Sequence, residues 1–146
     1  MKTIHIMAAA ATIAAASLTA NAALAHGITN NAPLHETVTL VADKPIPNLP
    51  GKRLVSQVVD YPPGASSIAH RHAKSAFIYA YVLSGEIRSK VDDELVRIYR
   101  PGETWFENPG ARHAVSENAS KTASARLLAV YVVDAADAEL LSPEPQ

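Results

Sequence analysis

Three residues in the middle of the chain, His70-Arg71-His72, carry the clearest chemistry. Histidines at i and i+2 on an extended segment project from one face, because successive strand side chains alternate. Two imidazoles placed this way can reach a single ion, and imidazole suits zinc, copper, iron and nickel. Tyr61-Pro62-Pro63-Gly64 precedes the pair and breaks regular pairing. Phe77-Ile78-Tyr79-Ala80-Tyr81-Val82-Leu83 follows it, an apolar and aromatic run with strong strand preference that Ser84-Gly85 ends. The stretch from Gly64 to Gly85 therefore reads as a metal-binding hairpin.

Further along, His113 follows the Asn108-Pro109-Gly110 break, and Glu107 ends the short run Thr104-Trp105-Phe106-Glu107. Glu107 is the candidate catalytic residue, a pocket base or a fourth ligand, set against the ordinary expectation of a solvated strand-end carboxylate. As a base it would suit isomerase or hydrolase chemistry. Tyr79, Tyr81, Trp105 and Phe106 could line an aromatic pocket, but strand aromatics are more often core, and the core is expected here. Lys74 and Arg71 read as surface charge.

The elements that must hold these residues are short strands. Thr37 to Val41 alternates as a first strand, and Lys44 to Gly51, with three prolines, reads as a crossing loop. Leu54 to Asp60 is β-branched. Glu86 to Val91 alternates polar and apolar, and Asp92-Asp93 predicts a hairpin turn into Leu95 to Tyr99. Arg126 to Val133 is the most continuous apolar strand and is expected to be central. Ala135 to Leu141 suggests a helical turn before a proline-rich tail. About nine short strands separated by Gly/Pro turns predict an all-β sandwich or barrel.

Bulk properties narrow the function. Met1 to Ala25 has one early cation, Lys2, an uncharged stretch from Ile6 to Leu18, and a closing Ala23-Leu24-Ala25, which together predict a secretory signal cleaved near Ala25. Ala20-Asn21-Ala22 is a second possible cleavage site. Export to the periplasm follows as the expectation, and cleavage after Ala25 would expose His26 as an N-terminal chelating group. Residues 26–50 then form an N-terminal arm with the first strand, 51–134 a barrel and 135–146 a tail. A formal net charge of −1 offers no basic footprint for nucleic acid. No later stretch is apolar for long enough to span a bilayer as a helix. The absence of cysteine leaves stability to core burial.

Two segments resemble the paired motifs of the cupins, specifically the small single-domain, quercetin-dioxygenase-like members. Gly64, His70-Arg71-His72 and Tyr81-Val82-Leu83-Ser84-Gly85-Glu86 resemble the first motif, and Pro101-Gly102 through Pro109-Gly110-Ala111-Arg112-His113, with Asn118 beyond, the second. The resemblance covers about Leu54 to Val133. It implies a double-stranded β-helix, or jelly roll, with one divalent transition metal ion (iron, nickel, copper, manganese or zinc) held by His70, His72 and His113. It departs from the family pattern at two places. In the second motif the proline-to-histidine gap is one residue shorter than the commonest form and the gap from His113 to Asn118 one longer. In the first, the slot of the usual ligand glutamate falls on Ala76, Phe77 or Ile78, none of them a carboxylate. All-histidine cupin sites imply a metal-dependent dioxygenase acting on a small enolisable or phenolic compound. The alternative is a non-enzymatic protein holding a metal or small ligand. The family also implies a homodimer that exchanges an N-terminal strand, for which Thr37 to Val41 is the candidate.

Overall fold

A computed structural model describes residues 35–144. The expected signal segment 1–25, both expected cleavage sites, His26 and the first part of the arm lie outside the described residues. Ten strands are described: β1 Thr37–Pro45, β2 Lys52–Tyr61, β3 His70–His72, β4 Phe77–Ser84, β5 Ile87–Val91, β6 Arg97–Tyr99, β7 Thr104–Glu107, β8 Arg112–Asn118, β9 Ala125–Asp134 and β10 Leu141–Pro143. They form two five-stranded sheets, ordered β1-β2-β9-β4-β7 and β10-β3-β8-β5-β6. Every pairing is antiparallel.

The period of two in the sequence becomes the wall of the barrel. Along β9 the residues Leu127, Ala129, Tyr131 and Val133 face inward while their neighbours face out, and β4 turns Ile78, Ala80 and Val82 inward. Of these, Leu127, Ala80 and Val82 pack with Ile87, Val91 and Tyr99 of the opposite sheet, while Ile78, Ala129, Tyr131 and Val133 form a second cluster with Val55 and Ala76. As expected, the apolar run from Arg126 sits at the centre of its sheet, between β2 and β4. The hairpin expected at Asp92-Asp93 also forms, with β5 pairing β6.

Three expectations give way. β3 and β4 are not a hairpin: β3 pairs with β8 and β10 in one sheet and β4 with β9 and β7 in the other. The four residues between them cross from sheet to sheet. Ala135 to Leu141 forms no helix; the chain turns and adds β10 to the free side of the histidine strand, with Leu141 opposite His72. The first strand runs past Val41 to Pro45, into the segment expected as a loop, and pairs antiparallel with β2. The outward aromatics differ as well. Phe77 and Phe106 stack on the outer face at 5.7 Å between ring centroids, and Phe106 is 58% exposed, whereas Trp105 is core. Alternation decides this, since Ile78 and Ala80 occupy the inward positions.

Asn118, the last residue of the second motif, is a clamp. Its buried Nδ2 donates to the carbonyls of Tyr61, Pro62 and Ala123 at 3.2, 3.0 and 2.7 Å, while its Oδ1 accepts from the Ser120 N–H at 2.9 Å. The turn that precedes the histidine strand is thereby fastened to the loop before β9.

Candidate metal centre

β3 lies between β10 and β8, with His70 opposite His113 in register. The burial pattern of β3 places His70 and His72 inward and Arg71 outward. His113 reaches the same face for a less regular reason. A spacing of five residues would put His113 and Asn118 on opposite faces of an unbroken strand. The register with β5 shifts between Lys90, opposite Val115, and Val91, opposite His113, leaving Ala114 as an extra residue. This β-bulge absorbs the added residue of the second motif, and His113, Ser116 and Asn118 are all buried.

The three rings converge. Their centroids lie 4.8 Å apart for His70 and His72, 5.3 Å for His70 and His113, and 6.1 Å for His72 and His113. One ring nitrogen from each falls within 4.8 Å of the others, and all three residues are buried. The Nδ1–H of His70 donates to the Ile68 carbonyl at 2.8 Å, which leaves its Nε2 lone pair free. Ser89 Oγ lies 2.8 Å from His113 Nε2 and holds that ring.

Glu107 is the correction. It is 3% exposed and faces the histidines, because alternation along β7 turns Trp105 and Glu107 inward together. Trp105 Nε1–H donates to Glu107 Oε1 at 3.0 Å. Oε2 lies 2.8 Å from His72 Nε2, and Oε1 lies 3.4 Å from His113 Nδ1. The close Oε2–Nε2 pair is too poorly aligned to count as a hydrogen bond, so both atoms are buried without a partner, as is His72 Nδ1.

Burial sets the protonation states. It holds His113 down to about 4, against the opposing pull of the Glu107 carboxylate, and it lowers His70 despite the bond to the Ile68 carbonyl. Burial would raise Glu107, but contact with His72, the charge effect of His113 and the Trp105 N–H together hold it below its usual range. At neutral pH His70 and His113 are therefore uncharged, the form that binds a metal, beside an ionised carboxylate. A buried set of imidazoles with free lone pairs and an orphaned carboxylate oxygen suits a divalent transition ion.

The same shifts predict acid sensitivity. A histidine held at about 4 when folded and about 6.5 when unfolded stabilises the fold fully above pH 6.5, and that stability is lost as pH falls toward 4. Metal-free protein should lose up to about 3 kcal/mol between those values. Urea midpoints at pH 7.5, 5.5 and 4.5 measure it, and equal midpoints would refute it.

A cavity of about 280 Å³ opens beside the cluster. Two phenols that sequence reasoning missed, Tyr61 and Tyr131, line it together with Gln57 and Ile78. Their signal was present as the inward positions of β2 and β9. The Tyr61 hydroxyl shares 2.8 Å hydrogen bonds with Ser67 and Ser116. Burial raises both phenols, so they remain protonated at neutral pH. Lys74 and Arg71 take no part in the lining, and the outer-face Tyr79, Tyr81 and Phe106 are likewise absent from it.

Residues 57–131 match the cupin domain family. No curated protein matches the chain. Among solved structures, a Klebsiella pneumoniae protein with a double-stranded β-helix domain is 17% identical with a TM-score of 0.60, covering 77% of this chain and 86% of that one. The cupin domain of Schizosaccharomyces pombe Cnp3 is 17% identical with a TM-score of 0.55, covering 71% and 66%. An oxalate oxidase in complex with glycolate is 23% identical with a TM-score of 0.53, covering 69% and 52%. At these identities the likeness is one of fold. The family match spans half the sequence, the two antiparallel sheets close into the same barrel, and the chain belongs to the cupins.

Proposed function

We propose that this cupin is a mononuclear-metal oxygenase that acts on a small enolisable or phenolic compound. The observation that carries the reading is the meeting of His70, His72 and His113 beside a cavity whose described lining contains no lysine or arginine. A carboxylate that reaches beyond the metal would meet no fixed cation in that lining. An uncharged substrate that presents one acidic hydroxyl needs none. A bound divalent ion would polarise such a substrate oxygen and ease loss of its proton.

The rest of the cavity suits that substrate. Val59, Ile78 and Ala129 supply apolar walls, Gln57 supplies an amide, and the protonated Tyr61 and Tyr131 can donate to a carbonyl. At about 280 Å³ the space is close to the lower bound of about 300 Å³ for typical ligand pockets, which favours a compact molecule. In a dioxygenase both oxygen atoms enter the substrate, so no separate reductant is required.

Export to the periplasm after cleavage near Ala25 and assembly as a homodimer belong to the same proposal. The exposed apolar residues of β1 (Val38, Leu40 and Val41) and the outward Phe77 and Phe106 support a self-association surface. N-terminal sequencing of exported protein and light scattering test these two points.

The activity test is anaerobic iron loading followed by oxygen uptake with diketones and flavonols, repeated with manganese, nickel and copper. Uptake with incorporation of both atoms of labelled dioxygen is the expected result. Stoichiometric metal without uptake under any ion would replace this reading with the non-enzymatic binding protein.

A further inference from the structure

The carboxylate missing from the first motif is present one strand away. Of the three residues in the usual glutamate slot, Ile78 is the one that lines the cavity, and it is fully buried. Across the β4–β7 ladder its direct partner is Glu107. Partners in one antiparallel rung project from the same face, with Cβ atoms about 4.5–5.5 Å apart. A side chain at Glu107 therefore enters the volume that a glutamate at Ile78 would have entered.

The geometry at Glu107 is that of a metal donor more than of an ion-pair partner. Its ion-pair neighbours among the described residues are His72 and His113, with no lysine or arginine. Trp105 occupies Oε1 and fixes the carboxylate, leaving Oε2 buried, unpartnered and 2.8 Å from an equally unpartnered His72 Nε2. Metal–ligand bonds of about 2.0–2.2 Å put neighbouring donor atoms about 3.0 Å apart at right angles and about 3.4 Å apart at tetrahedral angles. The observed 2.8 Å separation of the free Oε2 from His72 Nε2 falls close to the first of those edges. Two buried polar atoms face each other without a well-aligned hydrogen bond, and an ion ligated by both would satisfy them.

We propose that Glu107 is a fourth protein ligand, a carboxylate moved across one rung from β4 to β7. The inference rests on the three-histidine reading and adds one donor to it. It makes the centre a three-histidine, one-carboxylate site of net charge one lower than histidines alone would give, with the carboxylate approaching from the sheet opposite the histidines.

Cobalt(II) is the probe, read by its visible spectrum and by the emission of Trp105, the one tryptophan in the chain, whose indole N–H holds Glu107. Glu107→Gln should bind cobalt at least 100-fold more weakly, beyond the roughly 10–100-fold seen for residues that only orient a ligand, and with a changed spectrum. Ile78→Glu placed in that variant should recover tenfold or more of the affinity by restoring the carboxylate from the other side of the rung. Should Glu107→Gln not fold, Glu107→Asp takes its place, with a smaller loss and again a changed spectrum expected. An unchanged spectrum with no rescue by Ile78→Glu would overturn the proposal and leave Glu107 as a positioning residue for His72. If His70→Ala loses cobalt while Glu107→Gln keeps wild-type affinity, the three-histidine site stands and the fourth ligand falls. If the wild type binds no cobalt, both fall together.

Discussion

Replacing His72 by alanine is expected to abolish stoichiometric metal binding and, with it, the thermal stabilisation that metal gives the protein. His72 faces the other two histidines and Glu107, with Tyr131 edge-on at 5.8 Å between ring centroids. Its removal deletes a donor and leaves Glu107 Oε2 facing empty space. Loss of a residue that merely orients a ligand costs about 10–100-fold in affinity, so loss of a ligand should exceed about 100-fold. At free metal 100 times the wild-type Kd, binding to the folded state is worth about 2.7 kcal/mol. In a variant whose Kd has risen 100-fold the same metal is worth about 0.4 kcal/mol. Melting curves with and without zinc or cobalt should therefore separate in the wild type and nearly coincide in His72→Ala. Elemental analysis of both proteins supplies the stoichiometry. His72→Gln, which retains most of the buried volume, guards against a packing effect, because it should bind as poorly while melting closer to the metal-free wild type. Metal retained at one equivalent by either variant would remove His72 from the site.

The histidines were legible because local rules sufficed for them. An i, i+2 pair on a strand shares a face wherever the strand lies, and the Gly/Pro frame placed His113 in the second motif. What surrounds them depends on choices the local pattern does not record. His72 N–H bonds the Ala111 carbonyl and Ala73 N–H the Leu140 carbonyl. These distant partners direct β3 into a different sheet from β4, where the sequence suggested a hairpin. β10 is three residues long and includes a proline, with no strand signature of its own, so its place beside β3 was not readable. Glu107 shows the same limit at one residue. Thr104-Trp105-Phe106-Glu107 alternates, but it carries an aromatic on each face, so alternation alone cannot say which is the inside. Packing of Trp105 against Tyr99, at 4.5 Å between ring centroids, decides it and brings Glu107 inward as a consequence. The bulge at Ala114 was present in the sequence only as one extra residue between His113 and Asn118.

Gly85→Ala is expected to be among the most damaging single substitutions in the barrel, although Gly85 touches neither the histidines nor the cavity. Its φ of +70° lies in the region that L-residues avoid. A Cβ there would also sit 2.5 Å from the Ser124 carbonyl oxygen and 2.7 Å from Ala125 Cα. Both obstacles are backbone at the start of β9, the central strand of its sheet, so neither can swing aside as a side-chain tip could. Relief requires β9 to shift against β2 and β4, or the β4–β5 turn to open. Gly51→Ala isolates the conformational part, because Gly51 has a similar φ of +80° and a methyl added to it would meet nothing within 4 Å. That change should cost about 1 kcal/mol. Gly85→Ala should cost about 3 kcal/mol or more, the clash adding to the same backbone penalty. For a domain of this size the difference corresponds to a melting temperature roughly 10 °C lower or worse. Urea or thermal unfolding of the two variants side by side measures it. Equal losses would mean that the strand start yields easily and that the glycine closing the first motif is there for its φ alone. A larger loss at Gly85 assigns it the second task of letting β9 pass close to the β4–β5 turn, which holds together the sheet that carries Glu107 and Tyr131.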